Sequence, residues 1–422
     1  MSSAGSQGDI GFVPAVGEAS FTPTQRRFLE RAHELGQSAF APRAAQWDET
    51  ASFPFANYDD LREAGFLGLC VPQSKGGLGA DFATYCMVAA ELGRFCGATA
   101  LTFNMHVCST LWTGLLADAL PMSASERSEH ESRRALHFAR IVEQGSLYAQ
   151  PFSEGTAAAA GRAPFGTTAT REGKGWRISG KKIWASLSGA ANFYGILCTE
   201  AKGSDEPLDV RDTLYIAVPA ESEGLSVSGD WNPMGMRGTV SRNLIFDNVW
   251  VQDDLQLMPR GIYYQAAQAW PAMFFTLAPT YLGIAQAAYD FTVSYLRGEI
   301  PGEPAIRRRQ YPTKQIAVAQ MRIQLENMRS IFWRVIHEAR AFPSKDERLR
   351  LYAGHYTVME GSNDICRLAL RTCGGQAMMK HLPLERLYRD SRCGALMLPW
   401  TAELITDRLG REALYETGEK DA

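Results

Sequence analysis

The sequence predicts a chain that is mainly α with a central β domain, and three observations predict it. Apolar residues recur at helical spacing from Thr24 to about Gly145. Glycine-punctuated, β-rich runs fill the stretch from Ser146 to Asp254. The helical period then returns from about Gly261. The expected order is a helical bundle (24–145), an antiparallel β unit of sandwich or barrel type (146–258) and a second helical bundle (259–415), between tails at 1–23 and 416–422.

Met1 to Ser20 is rich in Gly, Ser and Ala and lacks both a basic start and a long apolar core, so it reads as a disordered tail, not a signal peptide. Thr24 is placed to cap a helix carrying the stripe Phe28, Ala32, Leu35, Ala39. Gly76-Gly77-Leu78-Gly79 reads as a loop. The apolar run from Phe82 through Met87 and Leu92 to Leu116 reads as a buried helix pair broken near Cys96-Gly97. The runs 176–180, 192–198, 214–218 and 242–246 read as strands, with Asp247-Asn248 and Asp253-Asp254 punctuating the last. Met321, Leu325, Met328, Phe332, Val335 and Ala339 alternate steps of four and three, the mark of a core-facing helix.

Composition excludes several function classes. At 422 residues the chain is long enough for two or three packed units. Hydrophobic residues at 45% and charged residues at 21% are ordinary for a soluble globular protein. A net charge of −3 implies no nucleic-acid partner, and the short run Arg307-Arg308-Arg309 reads as a solvated face. The eight cysteines form no CxxC pair, which points to reduced, buried thiols and a cytoplasmic location. The seven histidines form no HxxxH or HExxH pattern, so no metal is expected. No run of 18 apolar residues is present, so no membrane span is expected.

The chemistry-bearing motifs lie in three places. Near the end, Cys373-Gly374-Gly375-Gln376 is followed by Leu384-Glu385-Arg386-Leu387-Tyr388-Arg389-Asp390 and then by Leu398-Pro399-Trp400-Thr401-Ala402-Glu403. In the middle stand Ser179-Gly180-Lys181-Lys182-Ile183-Trp184-Ala185-Ser186 and Met234-Gly235-Met236-Arg237-Gly238-Thr239. Gly283-Ile284-Ala285-Gln286 opens a late helix. In shared order and spacing, over about residues 24 to 415, these segments resemble the acyl-CoA dehydrogenase family.

The resemblance implies FAD, a homodimer or homotetramer with the cofactor at the subunit interface, and a set of cofactor contacts. Trp184 corresponds to the tryptophan packed on the isoalloxazine; its alternative is a core aromatic of a strand. Ser186 offers the hydroxyl that the family places near flavin N5. Tyr148, Ala149, Gly155 and Thr156 belong to the altered loop Ala149-Gln150-Pro151-Phe152-Ser153-Glu154-Gly155-Thr156, where Gly155 and Thr156 present backbone N–H groups to phosphate. Arg371 stands where the family has Gln before the Gly374-Gly375 pair. Arg297 opens a lengthened version of the segment whose arginine reaches a neighbouring subunit's FAD. Thr401 and Glu403 close the set.

The expected catalytic residue is missing. The family removes an α-proton with a glutamate in the loop before Gly-Thr, where this chain has Leu398 or Pro399. A minority of members place it ten residues before the helix glycine aligned with Gly283, which is Met273 here, beside Phe274. A positioned base is worth orders of magnitude in rate, and no residue is assigned to that role. Met359-Glu360-Gly361-Ser362-Asn363 is similar to the catalytic loop, but it precedes the Gly-Gly pair, so Glu360 reads as an acidic residue inside a helix. Trp270-Pro271-Ala272-Met273-Phe274-Phe275 is apolar throughout; it reads either as core or as the wall of a dry substrate chamber, with Met273, Phe274 and Pro399 as substrate contacts.

Three functions follow. The first is an FAD-dependent acyl-CoA dehydrogenase-like oxidoreductase acting on a specialised acyl thioester, with an electron acceptor and an unidentified base. The second is a flavin-dependent monooxygenase on the same fold, using reduced flavin from a reductase on an apolar or aromatic compound. The third is a non-catalytic subunit pairing with an active homologue. Fold alone does not choose among them.

Overall fold

Thr22, not Thr24, caps the first helix in the computed structural model, which describes residues 21–156, 158, 163–202, 206–416 and 419. The Thr22 hydroxyl accepts the Gln25 N–H and the Gln25 side chain returns to the Thr22 N–H, while Pro23 takes the first helical position, where no N–H is needed. Of the tail expected at 1–23, residues 1–20 lie outside the described residues, while residues 21–23 form the start of the fold, with Thr22 capping α1 and Pro23 as its first residue. Phe21, expected at its end, is buried edge-on against Trp333 with ring centroids 5.7 Å apart. Of the tail expected at 416–422, Glu416 and Glu419 are described and joined by a 2.8 Å bond, and the rest lies outside the described residues.

Helix α1 (Pro23–Leu35) is followed by α2 (Ala41–Thr50), α3 (Phe55–Glu63), α4 (Phe82–Phe95), α5 (Gly97–Leu111) and α6 (Ala124–Gln144). The expected break between two buried helices falls at Cys96, whose extended backbone separates α4 from α5. Almost every residue of α4 and α5 is buried, which is why both read as apolar all round.

Strands β1 (Tyr148–Ala149), β2 (Thr168–Glu172), β3 (Gly175–Ala185), β4 (Phe193–Glu200), β5 (Thr213–Pro219), β6 (Leu225–Ser228), β7 (Arg242–Gln252) and β8 (Gln256–Met258) form one sheet. Its order is β6-β7-β3-β2-β4-β5-β8, with β1 beside β4. The sheet is mixed, which corrects the antiparallel expectation: β2 pairs β4, and β1 pairs β4, in parallel. β7 occupies one edge of β3 and β2 the other, so β4 joins the free edge of β2, running in its direction. Asp247-Asn248 lie inside β7, at a register shift against β3, and Asp253-Asp254 follow its end.

The second helical unit comprises α7 (Ile262–Ala269), a 3₁₀ segment at Pro271–Leu277, α8 (Ala278–Arg297), α9 (Pro312–Glu338), α10 (Lys345–Cys373), α11 (Leu384–Cys393) and α12 (Ala402–Leu414). The stripe Met321, Leu325, Met328, Phe332 and Val335 is buried in α9, each side chain contributing roughly 1.5–3 kcal/mol. Ala339 falls one residue past the helix, at its C-cap. α4 and α8 cross at Gly93 and Gly283: a Cβ on Gly283 would lie 2.2 Å from Ala90 O, so only glycine permits this approach. All eight cysteines are free and seven are buried. Among the described residues no helix is long and apolar enough to cross a membrane.

Candidate functional site

The end of β3 and the loop at 151–156 are built as one piece. Ile183 N donates to Ser153 O at 2.8 Å. One residue on, the Glu154 carboxylate receives Gly166 N at 2.7 Å, Thr167 N at 3.0 Å and Lys182 Nζ at 2.6 Å. Lys182 is fully buried, also donates to Leu197 O at 2.5 Å, and lies 4.4 Å from the Phe165 ring centroid. Burial pulls the Lys182 pKa down, and the Glu154 carboxylate opposes that pull. Burial works to raise Glu154, yet the Lys182 ammonium and the Thr167 donors hold it below the usual carboxylate range.

Trp184 follows at the strand end. It is 62% exposed, its φ of 55° is left-handed, and it meets Trp231 edge-on at 5.8 Å. It is therefore not a core aromatic: the backbone holds a large ring outward in a conformation that costs about 1–3 kcal/mol. Ser186 is buried, and its hydroxyl pairs with Ser241 at 2.8 Å, which pairs with Thr239 at 2.8 Å. Gly155 and Thr156 are exposed beside this strand. Tyr148 and Ala149 are fully buried; the Tyr148 hydroxyl bonds His137 Nδ1 at 2.9 Å, so that side chain is committed to the interior.

A continuous layer of rings fills the space beside the missing base. Trp112 stacks on Phe152 with centroids 5.1 Å apart and meets Phe274 edge-on at 6.1 Å. Phe274 lies 5.8 Å from Trp400, and Trp400 lies 5.0 Å from Tyr352 and 6.1 Å from His355. Met273 and Pro399 are buried. Both positions from which a carboxylate was expected thus hold apolar side chains, and the ring of the residue after each packs on the other. The layer includes the imidazole of His355, 2% exposed, which burial lowers to about 3. Its Nε2 and the indole nitrogens of Trp112 and Trp400 have no hydrogen-bond partner. Glu360 lies inside α10, bonded to Arg392 at 3.0 and 3.1 Å.

The remaining candidates sit at the ends of α8 and α10. Arg297 is exposed and bonded to Glu299 at 2.8 Å. Arg371 is exposed in the last turn of α10. Gly374, with φ of 86°, turns the chain out of that helix, and a Cβ at Gly374 or Gly375 would meet nothing within 4 Å. Thr401 caps α12, and Glu403 is exposed in its first turn. A cavity of ≈180 Å³ opens between the connection after α8 and Gln376.

These residues divide in their fit to a flavin. The β3 side offers an outward indole, a hydroxyl and a glycine turn, which fit an isoalloxazine and a phosphate. The α8–α10 side offers Arg297 already paired, and Glu303 lines its cavity. Sequence reading missed the Glu154–Lys182 pair, Trp231 and the Ser241–Thr239 hydroxyls. Their signal was a contact between distant segments, which no local pattern carries.

Three family models match the chain in order: the acyl-CoA dehydrogenase N-terminal domain over 22–116, the middle domain over 152–249 and the C-terminal domain over 265–398. The 3-sulfinopropanoyl-CoA desulfinase of Paraburkholderia xenovorans strain LB400 is 28% identical over 88% of this chain and 91% of its own length. Human mitochondrial short-chain specific acyl-CoA dehydrogenase is 26% identical over 87% of this chain and 85% of its own. Among solved structures, KijD3 in complex with FMN and a dTDP-amino-keto sugar has a TM-score of 0.79, 22% identity and 96% coverage of each chain. Dibenzothiophene monooxygenase (TdsC) of Paenibacillus sp. A11-2 has a TM-score of 0.76 at 19% identity, over 92% and 97% of the two chains. At such identities the structural likeness is one of fold.

Proposed function

The chain belongs to the acyl-CoA dehydrogenase family, and we propose that it works there as a flavin-dependent monooxygenase on an apolar or aromatic substrate. One observation carries this reading: Phe274 and Trp400 stand ring to ring at 5.8 Å where a carboxylate would be needed to take an α-proton. Oxygenation requires no such base.

Reduced flavin and O2 supply the chemistry, with one oxygen atom entering the substrate and the other leaving as water. The chain's own residues do the rest. Trp184 would stand against the ring system, the Ser186 hydroxyl, paired with Ser241, would lie near it, and the exposed Gly155 and Thr156 would face its phosphate. The layer from Trp112 to Trp400 excludes water and offers ring faces to an apolar substrate. The reading includes a reductase as the source of reduced flavin, a homo-oligomeric assembly and a cytoplasmic location.

A second reading, an oxidoreductase acting on an acyl thioester, is favoured by His355, whose unpartnered Nε2 lies in the same layer. The sequence relatives named for CoA thioesters support it as well. The two separate in one experiment. Protein supplied with reduced flavin and ¹⁸O₂ should place one labelled atom in an indole, aromatic sulfide or amine. Anaerobic bleaching of bound oxidised flavin by an acyl thioester, without oxygen incorporation, would replace the first reading with the second.

A further inference from the structure

We infer that His355 and Trp400 form the polar end of the substrate chamber, and that the substrate carries there one neutral group that both accepts and donates a hydrogen bond, a hydroxyl or an amine. This rests on the monooxygenase reading above and adds which part of the substrate is recognised, and by what.

The seven histidines separate on this point. His33, His106, His130, His137, His337 and His381 each bond through at least one ring nitrogen. Among the described residues His355 bonds through neither; its ring neighbours are Phe275 at 5.9 Å and Trp400 at 6.1 Å. Trp400 repeats the pattern. It is 3% exposed and its indole N–H is unpartnered, whereas those of Trp176 and Trp231 reach Asp253 at 3.0 Å and Arg237 O at 2.7 Å. Buried polar groups left unpaired cost stability, and native chains keep few. Two that meet ring to ring, beside the missing base, point to a partner that arrives with the substrate.

The chemistry of the pair defines that partner. An indole N–H only donates, so it calls for an acceptor. Arg408 lies over the same indole at 4.9 Å, and a cation on the ring face draws electron density from it, which strengthens the donor. Burial keeps the imidazole neutral, so one of its nitrogens accepts and the other donates. A hydroxyl or an amine answers both: its lone pair takes the indole N–H, and its hydrogen goes to the imidazole. A bare hydrocarbon answers neither.

The layer also gives the substrate a direction. From Trp400 it runs through Phe274 and Trp112 to Phe152, and the next residue, Ser153, accepts Ile183 N beside Trp184. The apolar body lies along these rings toward the Trp184 side, with its polar group at the far end.

The test is calorimetric titration of the flavin-loaded protein with 4-ethylphenol and with 4-ethyltoluene, which differ by a hydroxyl in place of a methyl. A chamber without a polar contact would favour the hydrocarbon, since burying an unmet hydroxyl is costly. The phenol is expected to bind the wild type at least about tenfold more tightly. W400F and H355F each keep a ring; each should cut that preference about tenfold, with little effect on 4-ethyltoluene. H355Q keeps a donor and an acceptor and should retain most of the preference. W400F carries the test if H355F fails to fold. Equal binding of the two probes, binding of neither, or a preference unmoved in W400F and H355F would overturn the inference, and buried water would then be the partner of these nitrogens. The monooxygenase reading fails separately, when the phenol is preferred but takes no label from ¹⁸O₂.

Discussion

Arg389 grips Asp48 across 341 positions of sequence: Nη1 and Nη2 donate to Oδ1 and Oδ2 at 2.9 and 2.5 Å. The same guanidinium bonds Glu385 and, at 2.8 Å, Met234 O. Arg237 returns to Asp48 O at 2.6 Å, and the Asp390 carboxylate receives Met236 N at 2.5 Å. The first helical unit, the sheet unit and the last helices therefore meet at one clasp. Trp231, the ring against Trp184, is hung from it through Arg237 O at 2.7 Å. The Arg389-Asp390 pair, part of a segment that carries the family resemblance, holds Trp231 and the wall beside Trp184 in place.

Lysine cannot reproduce the fork at Asp48. Arg389→Lys should lose about 2–4 kcal/mol of stability, because Asp48 and Glu385 are both largely buried and a single ammonium cannot serve both carboxylates and Met234 O. Urea denaturation measures it. A change under about 0.5 kcal/mol would make the clasp incidental.

Asp390 gives the clasp a pH dependence of defined sign. Burial raises its pKa from 3.8 to about 6, against the pull of the Met236 N–H and nearby arginines. Its folded value lies above its unfolded value, so its contribution to stability is full below pH 3.8 and is lost as pH rises through about 6. Asp390→Asn keeps an acceptor for Met236 and removes the titration. Relative to wild type, the variant should gain about 2–2.5 kcal/mol between pH 4 and pH 7.5. A wild-type-to-variant difference that stays flat with pH would mean that the carboxylate is solvated.

What was legible in the sequence was what repeats locally. The α9 stripe, the break at Cys96 and the four strands follow from spacing within a dozen residues. Trp184 and Ser186 were named through the family resemblance of one short segment, not through any periodicity. Thr22 was missed although Pro23 marks it, because Thr24 stands equally well before the apolar stripe. The parallel pairing of β2 with β4 was not legible, since register between strands leaves no trace in either one. Nor were Glu154–Lys182 and Arg389–Asp48, whose partners are matched only once the chain has folded.

Trp184 separates binding from folding. At 62% exposure its ring buries little, so Trp184→Ala should change stability by no more than about 0.5 kcal/mol. Loss of a ring stacked on flavin should weaken flavin binding at least about tenfold. Equal flavin affinity in variant and wild type, read by fluorescence quenching, would detach Trp184 from the site.

Glu360 should prove dispensable for turnover. It lies inside α10, and its pairing with Arg392, with side chains 25% and 33% exposed, accounts for it. Glu360→Gln should retain activity and cost about 0–1 kcal/mol of stability. Abolished turnover with unchanged flavin content would make it the missing base.

The Glu154–Lys182 pair yields to a double-mutant cycle. Glu154→Gln strands a fully buried ammonium with Leu197 O and the Phe165 ring, which should cost about 3–5 kcal/mol. Lys182→Met leaves the carboxylate with the Gly166 and Thr167 N–H groups, so its cost should be smaller. With both charges gone neither is stranded, and the double variant should lose roughly 2 kcal/mol less than the two singles together. Because Glu154 also fastens the loop at 153–156 to β3, each single variant should bind flavin more weakly than wild type even where it remains folded. Additive losses would mean that the two charges are satisfied independently. Unchanged flavin affinity would mean that the loop holds its place through the Ile183–Ser153 bond alone.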